Sequence, residues 1–496
     1  MNTSGFLRAL GYIAVAGAAM ASPAPVQAEN LLFNPSFEHP RANDGDFADM
    51  DTTAADYRGR WYTTEATGLI EVLNNFDGIE AWSGKQYLEL LGRDFGEIHQ
   101  SVGGLRTGGL YGLSFAHAGR NGIDTAQALV NQGGAQRLSI NAVDNVGEWN
   151  FYRGTFRAQR STGEVRFISI DPNSGDVGNL IDAVTLQLVA DPAEMEEDLS
   201  AAFALQRNGL RQGLNDAYLS LDANCRRPTD EAPRETCVSI SAHGTGEARN
   251  GPDTTGAALT FAVSRQLDDA WRVGGFLGQE LKGQRARNSE YTQSIPTLGA
   301  FVENGNAFSP GLFLRGAVVT KSGDLSHNRE DLARGSGSFD SWGAEARVAY
   351  GTAVGGSILL SPYAGLEYLQ ATRGAYSEDV VAYEVETGHY DEVQGHTTSL
   401  LTGVNLSGAG GENVFYQLGA GMGHVLSSAR SDLSGRIGDV AFSGREANMG
   451  EGYYFGRAAL TYAISPAGAV TLGVSADQTG GGETLLNYGL GLGYSF

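Results

Sequence analysis

Cys225 and Cys237 are the only cysteines among 496 residues, twelve positions apart. With no histidine pair beside them and no CxxC, neither a zinc site nor a redox motif suits them, and a disulfide formed after export is expected. Closing so short a loop stabilises by roughly 3 kcal/mol on the chain-entropy model. Nucleophilic chemistry finds no counterpart: the chain has no GxSxG elbow, no HExxH and no phosphate-cradling P-loop. His39, His99 and His117 stand in no recognisable triad setting, and His117 reads as a strand residue with a satisfied hydrogen bond. Glu89 with Asp94 and Asp171 with Asp176 are the carboxylate pairs of a type used in glycoside hydrolysis. That reaction needs one raised pKa and a defined separation, and these residues read instead as strand surface and solvated loop. Trp61, Tyr62, Trp82 and Arg120 are the better candidates, because sugars stack on aromatic faces and hydrogen-bond to polar side chains. Trp149 and Tyr152 are expected in a core. The expected activity is therefore binding, and the chain is not expected to be an enzyme.

The elements that would position these residues fall into four sections. Residues 1–28 read as a secretory signal: Arg8, an apolar run from Ala9 to Ala21, then Val26-Gln27-Ala28 as a small-residue cleavage site. That run is short of the roughly 20 residues a membrane helix needs, and no other segment approaches that length. Residues 29–191 read as a β-sandwich of strands bounded by Gly, Asn and Asp, among them Gly84–Leu91, Gly109–Ala118, Val165–Ile170 and Leu180–Val189. Residues 192–236 hold a helical period over Ala193–Asp222, with Leu199, Phe203, Leu210, Leu214 and Leu221 near one stripe, followed by the cysteine loop. About 30 residues of helix reach roughly 45 Å, enough to run through a barrel.

Residues 237–496 alternate apolar with small or polar residues in twelve segments. Their connections are alternately short and long, the long ones including 321–338, 371–390 and 427–451. In the last segment Tyr488, Leu490, Leu492, Tyr494 and Phe496 share one face, and Asn487, Gly489, Gly491, Gly493 and Ser495 the other. Lipid satisfies no backbone donors, so such strands must close on themselves. The fold class expected is all-β: a 12-stranded antiparallel transmembrane barrel with an N-terminal pore helix, preceded by a jelly-roll sandwich. A net charge of −23 argues against nucleic acid as a partner.

The order of signal peptide, exported domain, pore-length helix and barrel ending in Tyr494-Ser495-Phe496 resembles the autotransporters, the type V secretion family of Gram-negative bacteria. The resemblance implies an outer-membrane address, and it implies that the Tyr488 to Phe496 alternation is a signal for the barrel-assembly machinery. It also implies that the exported domain is displayed at the cell surface. Asn208 and Asn215 lie where some relatives release that domain by asparagine chemistry, but neither forms an adjacent Asn pair, so an attached domain is expected. Residues 30–38 (NLLFNPSFE), Gly112–Phe115 with Arg120, and Gly178–Leu186 are similar to galactose-binding-like jelly rolls, which include carbohydrate-binding modules. There the resemblance implies a structural calcium held by Glu38 and Asp182, and an extracellular glycan or host surface as partner beside the outer-membrane lipid. Two other readings stand against this one: a surface-displayed hydrolase of unrecognised type, and an outer-membrane channel whose N-terminal domain stays periplasmic.

Overall fold

A computed structural model describes residues 30–496 except 56, 58, 91–95, 173–177, 192, 197–198, 200–201, 204–205, 215–235, 248–255, 287–288, 330–332, 380–386, 438–439, 445–451 and 480–483. The signal segment, Cys225, Asn215 and the end of the expected helix lie outside these residues.

The N-terminal part is a sandwich of two antiparallel sheets. One has six strands in the order Asp46–Asp51, Leu69–Asn74, Gln86–Glu89, Leu180–Ala190, Leu110–Ala118 and Asn150–Arg157. The other has five, Tyr62–Thr63, Glu97–Gly103, Thr162–Pro172, Asp124–Gln132 and Ala135–Asp144. Alternate residues of both sheets point inward, so Leu113, Phe115, Val165, Phe167 and Leu186 form one core. A satellite cluster, Leu73, Ile79, Tyr87 and Leu180 with Trp149 packed on it, lies apart from that core. Trp149 takes its expected packing place on this satellite, not on the main core, half-buried and with its Nε1 donating to the Glu80 carbonyl at 2.9 Å.

From Thr236 to Ser495 twelve long strands form a closed antiparallel barrel, the first pairing with the last from Cys237↔Ser495 to Glu247↔Leu485. The expected side-chain alternation holds. Leu259, Phe261 and Val263 are exposed, whereas Thr260, Ala262 and Ser264 are buried. Trp342 and Tyr350 face outward eight residues apart on Ala333–Gly355. They span about 26 Å along the strand, which at the usual tilt of roughly 35–45° is about 20 Å of height, within the roughly 25 Å apolar band of such barrels.

The expected long loops need correction. Residues 321–329 and 333–338 continue the hairpin of Gly311–Arg329 and Ala333–Gly355, while Tyr376–Asp379, Thr387–Tyr390, Leu433–Ile437 and Val440–Gly444 extend the wall further. Lys321, Gly323, Leu325 and His327 face inward, and Asp324, Ser326 and Asn328 outward. Polar composition marks a loop only when no packing partner exists, and here the inward positions have one. Strands of 19 and 23 residues therefore rise above others of 11 and 12, giving the barrel a tall side.

That partner is the helix, helical at every described position from 193 to 214. Asp191 caps it, its Oδ1 accepting the Ala193 amide at 2.9 Å. Met195, Leu199, Ala202 and Phe203 pack with Tyr291, Leu325, Ala333, Phe339 and Tyr390 of the tall wall, and with Leu110, Val189 and Ala190 of the sandwich. Deeper, Leu210 and Leu214 pack with Phe276, Phe301, Val319 and Leu369. Its polar side is buried too: Arg211 bonds Glu367 at 3.0 Å, and Arg315 donates to the Leu214 carbonyl at 2.8 Å. No helix among the described residues is long and apolar enough to cross a membrane.

Candidate functional site

The outer face of the five-stranded sheet presents a patterned, open surface. Strand registers arrange it in rows running across the strands. His99 lies opposite Arg166, Arg166 opposite Leu129, and Leu129 opposite Ser139, with Tyr62 opposite His99 at the sheet edge. On one side runs Ser101, Glu164, Asn131 and Gln136; on the other, Glu97, Ile168, Gln127 and Asn141. Five strands at roughly 4.8 Å spacing make the face about 20 Å wide. Ser101, Leu129, Asn131, Glu164 and Arg166 border a shallow groove kept low by Gly103 and Gly134, where an added Cβ would meet nothing, while the Arg160 side chain lies against Gly133 at its rim. Arg166 is held between Glu97 at 3.2 Å and Glu164, and Gln127 donates to Asn141 Oδ1 at 3.0 Å. Tyr62 is 43% exposed beside the His99 ring.

Of the four residues expected to make one shallow site, this face holds only Tyr62. Trp61 is fully buried, packs against Phe37 and Phe167, and donates through Nε1 to the Asn34 carbonyl at 3.1 Å. It is a core residue and reaches no ligand. Trp61 and Tyr62 are neighbours in extended chain and so point to opposite faces, one buried and one exposed. Trp82, 49% exposed, stacks on Phe151 of the other sheet.

Arg120 is also not a surface sugar contact. Its guanidinium binds Glu89, lies 3.7 Å from Glu71 and 3.6 Å from Asp77, and covers the Phe76 ring. Glu71 and Glu89 are direct cross-strand partners, both buried. Burial pushes the Glu89 carboxyl up to about 8; the nearby Glu71 charge adds to this, while Arg120 and the Gly178 amide oppose it. Of the hydrolase-type pairs, Asp94 and Asp176 lie outside the described residues, and Glu89 is closed off by Arg120. His117 is fully buried, its ring bonded to Asp144 at 2.6 Å and Asn179 at 2.9 Å. As expected, it is satisfied rather than presented as a base.

Glu38 and Asp182 do come together, at the turn Trp82–Lys85. Glu38 Oε1 accepts the Lys85 and Gln86 amides at 2.6 and 2.9 Å, and Asp182 accepts those of Ser83 and Ala183 at 2.7 and 2.6 Å. Gly84 is required here, since a Cβ would fall 2.2 Å from Glu38 Oε1. Burial, aided by the Glu38 charge, pushes the Asp182 carboxyl up to about 7. Two hard oxygen donors that repel one another fit a calcium ion, which would neutralise them. Among the described residues, however, no group of three or more His, Cys, Asp or Glu side chains converges on a metal position.

Sequence reasoning missed Glu97, Gln127, Asn131, Asn141, Glu164 and Arg166. Their signal was the alternation of Glu164, Arg166 and Ile168 with Val165 and Phe167, but assembling the face required non-local registers. At the barrel end, Tyr488, Leu490, Leu492, Tyr494 and Phe496 are all exposed on the outer wall. Cys237 is buried in the first barrel strand.

Residues 240–477 match the family model described as the autotransporter β-domain. The translocator domain of the autotransporter NalP from Neisseria meningitidis is similar in fold, at 14% identity and TM-score 0.45 over 60% of this chain and 98% of that one. The sandwich is similar to the module TmCBM61, solved in complex with β-1,4-galactotriose, at 20% identity and TM-score 0.24 over 32% of this chain and 99% of the module. Halomucin from Haloquadratum walsbyi is 25% identical over 188 residues, which span 37% of this chain and 2% of that protein. With its matched strands closed into the twelve-stranded barrel described above, residues 240–477 of the chain form an autotransporter β-domain.

Proposed function

We propose that the barrel exports the sandwich and holds it at the cell surface as a glycan-binding, adhesive module. The observation that carries the binding reading is the outer face of the five-stranded sheet. Tyr62 offers an exposed ring at its edge, and His99, Arg166, Asn131, Gln127 and Asn141 supply hydrogen-bonding groups in rows across it. Such a surface orients a polyhydroxylated chain through many weak contacts without reacting groups. Display outside the cell is supported by where the sandwich joins the barrel. It meets the helix at the tall side, and in outer-membrane barrels the longer connections are extracellular.

Binding rather than catalysis is favoured because the raised carboxyl of Glu89 is buried under Arg120. Calcium held by Glu38 and Asp182 would fasten the turn carrying Trp82 and steady the sandwich, not touch the glycan. The remaining partners are the outer-membrane lipid around Leu259, Phe261, Leu490 and Leu492, and the assembly machinery reading the last strand; nucleic acid is not among them. The test is retention of the full-length protein, in detergent, on a broad panel of immobilised glycans. Retention that falls about tenfold in Tyr62→Ala supports the reading. Absence of retention across the panel overturns it.

A further inference from the structure

Resting on that reading, we infer that the outer face of the five-stranded sheet selects an uncharged glycan chain lying across the strands and rejects acidic ones. Arg166 is the cation among the residues lining the groove. Its charge is already spent: Glu97 and Glu164 flank it at opposite ends of the guanidinium, through Nη1 and Nε. Two carboxylates against one guanidinium leave the centre of the rows net negative, with Arg160 set apart at the groove rim against Gly133. A carboxylate or sulfate on a ligand would have to displace one of these partners and would then meet the displaced glutamate. The surrounding field acts in the same direction, since residues 29–191 carry twelve Lys and Arg against twenty-two Asp and Glu, net −10.

The other groups of the rows are neutral. Ser101, Asn131, Gln136, Ser139, Gln127 and Asn141 donate and accept hydrogen bonds, as hydroxyl groups require. These rows run across the strands from Tyr62 at one edge to Ser139 and Asn141 on the other, so a chain following them meets one aromatic contact and then successive polar ones. Specificity of this kind comes from unpaired charge placed against the wrong ligand, as well as from contacts with the right one.

The experiment measures binding of the full-length protein in detergent to matched polymers: a neutral β-glucan with its carboxymethylated form, and galactan with polygalacturonate. The expected result is at least tenfold preference for the neutral member, growing with oligomer length. The double variant E97Q/E164Q frees Arg166 and should shrink the preference about tenfold, with an unchanged unfolding midpoint for the sandwich. Preference for the acidic polymers overturns the inference while leaving the glycan reading intact. Equal binding of both members, or a preference unmoved in a folded E97Q/E164Q protein, also overturns it. Binding to neither member of any pair or to any other glycan overturns both.

Discussion

The sandwich and the barrel are built from the same alternating strand pattern, turned opposite ways. In the sandwich Phe115 and Phe167 are fully buried and Ser139 or Asn141 faces water. In the barrel Phe261, Leu492 and Tyr494 are exposed to half their area or nearly so, while Arg272, Glu303, Arg315 and Glu345 are buried inside. A strand registers only that its two faces differ; the medium on each side decides which face goes in. The second lesson concerns polar interiors. The sandwich pairs its few buried charges among themselves, as in Glu71 and Glu89 with Arg120, whereas the barrel lumen is filled by a helix whose arginine is matched to a wall glutamate. A lumen of that kind holds a helix in one register, and a hydrocarbon core would not.

This contrast can be broken in graded steps. The largest effect is expected from Phe115→Ala, which opens a cavity where Phe115 meets Phe167 at 5.0 Å and should cost the sandwich about 3–5 kcal/mol in denaturant unfolding. Next is Arg211→Met, which leaves Glu367 and Tyr453 buried without their cation and should cost about 3–5 kcal/mol in the barrel. The readout is conductance of the purified protein in planar bilayers: low in the wild type, and rising in the variant as the helix leaves. Phe261→Arg places a charge in lipid and should cost roughly 2–4 kcal/mol, seen as loss of the folded, heat-modifiable band. Thr260→Ser, one residue away on the lumen face, should change nothing measurable.

The smallest effect is on pH. Glu89 and Asp182 have folded-state carboxyls raised to about 8 and about 7, from ordinary values of 4.5 and 3.8. The folded sandwich therefore binds more protons than the unfolded chain between about pH 4 and pH 8. Their contribution to stability is complete at acidic pH and is lost as pH rises through that window. Thermal unfolding followed by tryptophan fluorescence should show a higher midpoint at pH 5 than at pH 8 in the presence of a chelator. Asp182→Asn should flatten the slope. Calcium should raise the pH 8 midpoint of the wild type and leave that of the variant unmoved.

How much of this was legible in the sequence differs between the two regions for a physical reason. Barrel strands pair with their chain neighbours, so hairpin spacing and alternation locate them, and the last strand was readable down to single residues. What failed there was composition: Ser322 to Asn328 reads as loop, although Leu325 and His327 keep the strand period and find the helix behind them. In the sandwich, Thr162–Pro172 pairs with Glu97–Gly103 and Asp124–Gln132, so the functional rows join residues some 35 to 70 positions apart. No local pattern announces that. Residue type alone also misplaced Trp61, because neighbouring Trp61 and Tyr62 must point to opposite faces and residue type does not say which one goes in.

The central claim, that the barrel presents the sandwich outside the cell, is tested most directly by protease shaving of intact cells expressing the full chain. The account predicts that the region 29–191 is removed while the barrel remains in the membrane, with a periplasmic marker untouched. Protection of that region until the outer membrane is permeabilised would contradict it, and would favour a channel with a periplasmic domain.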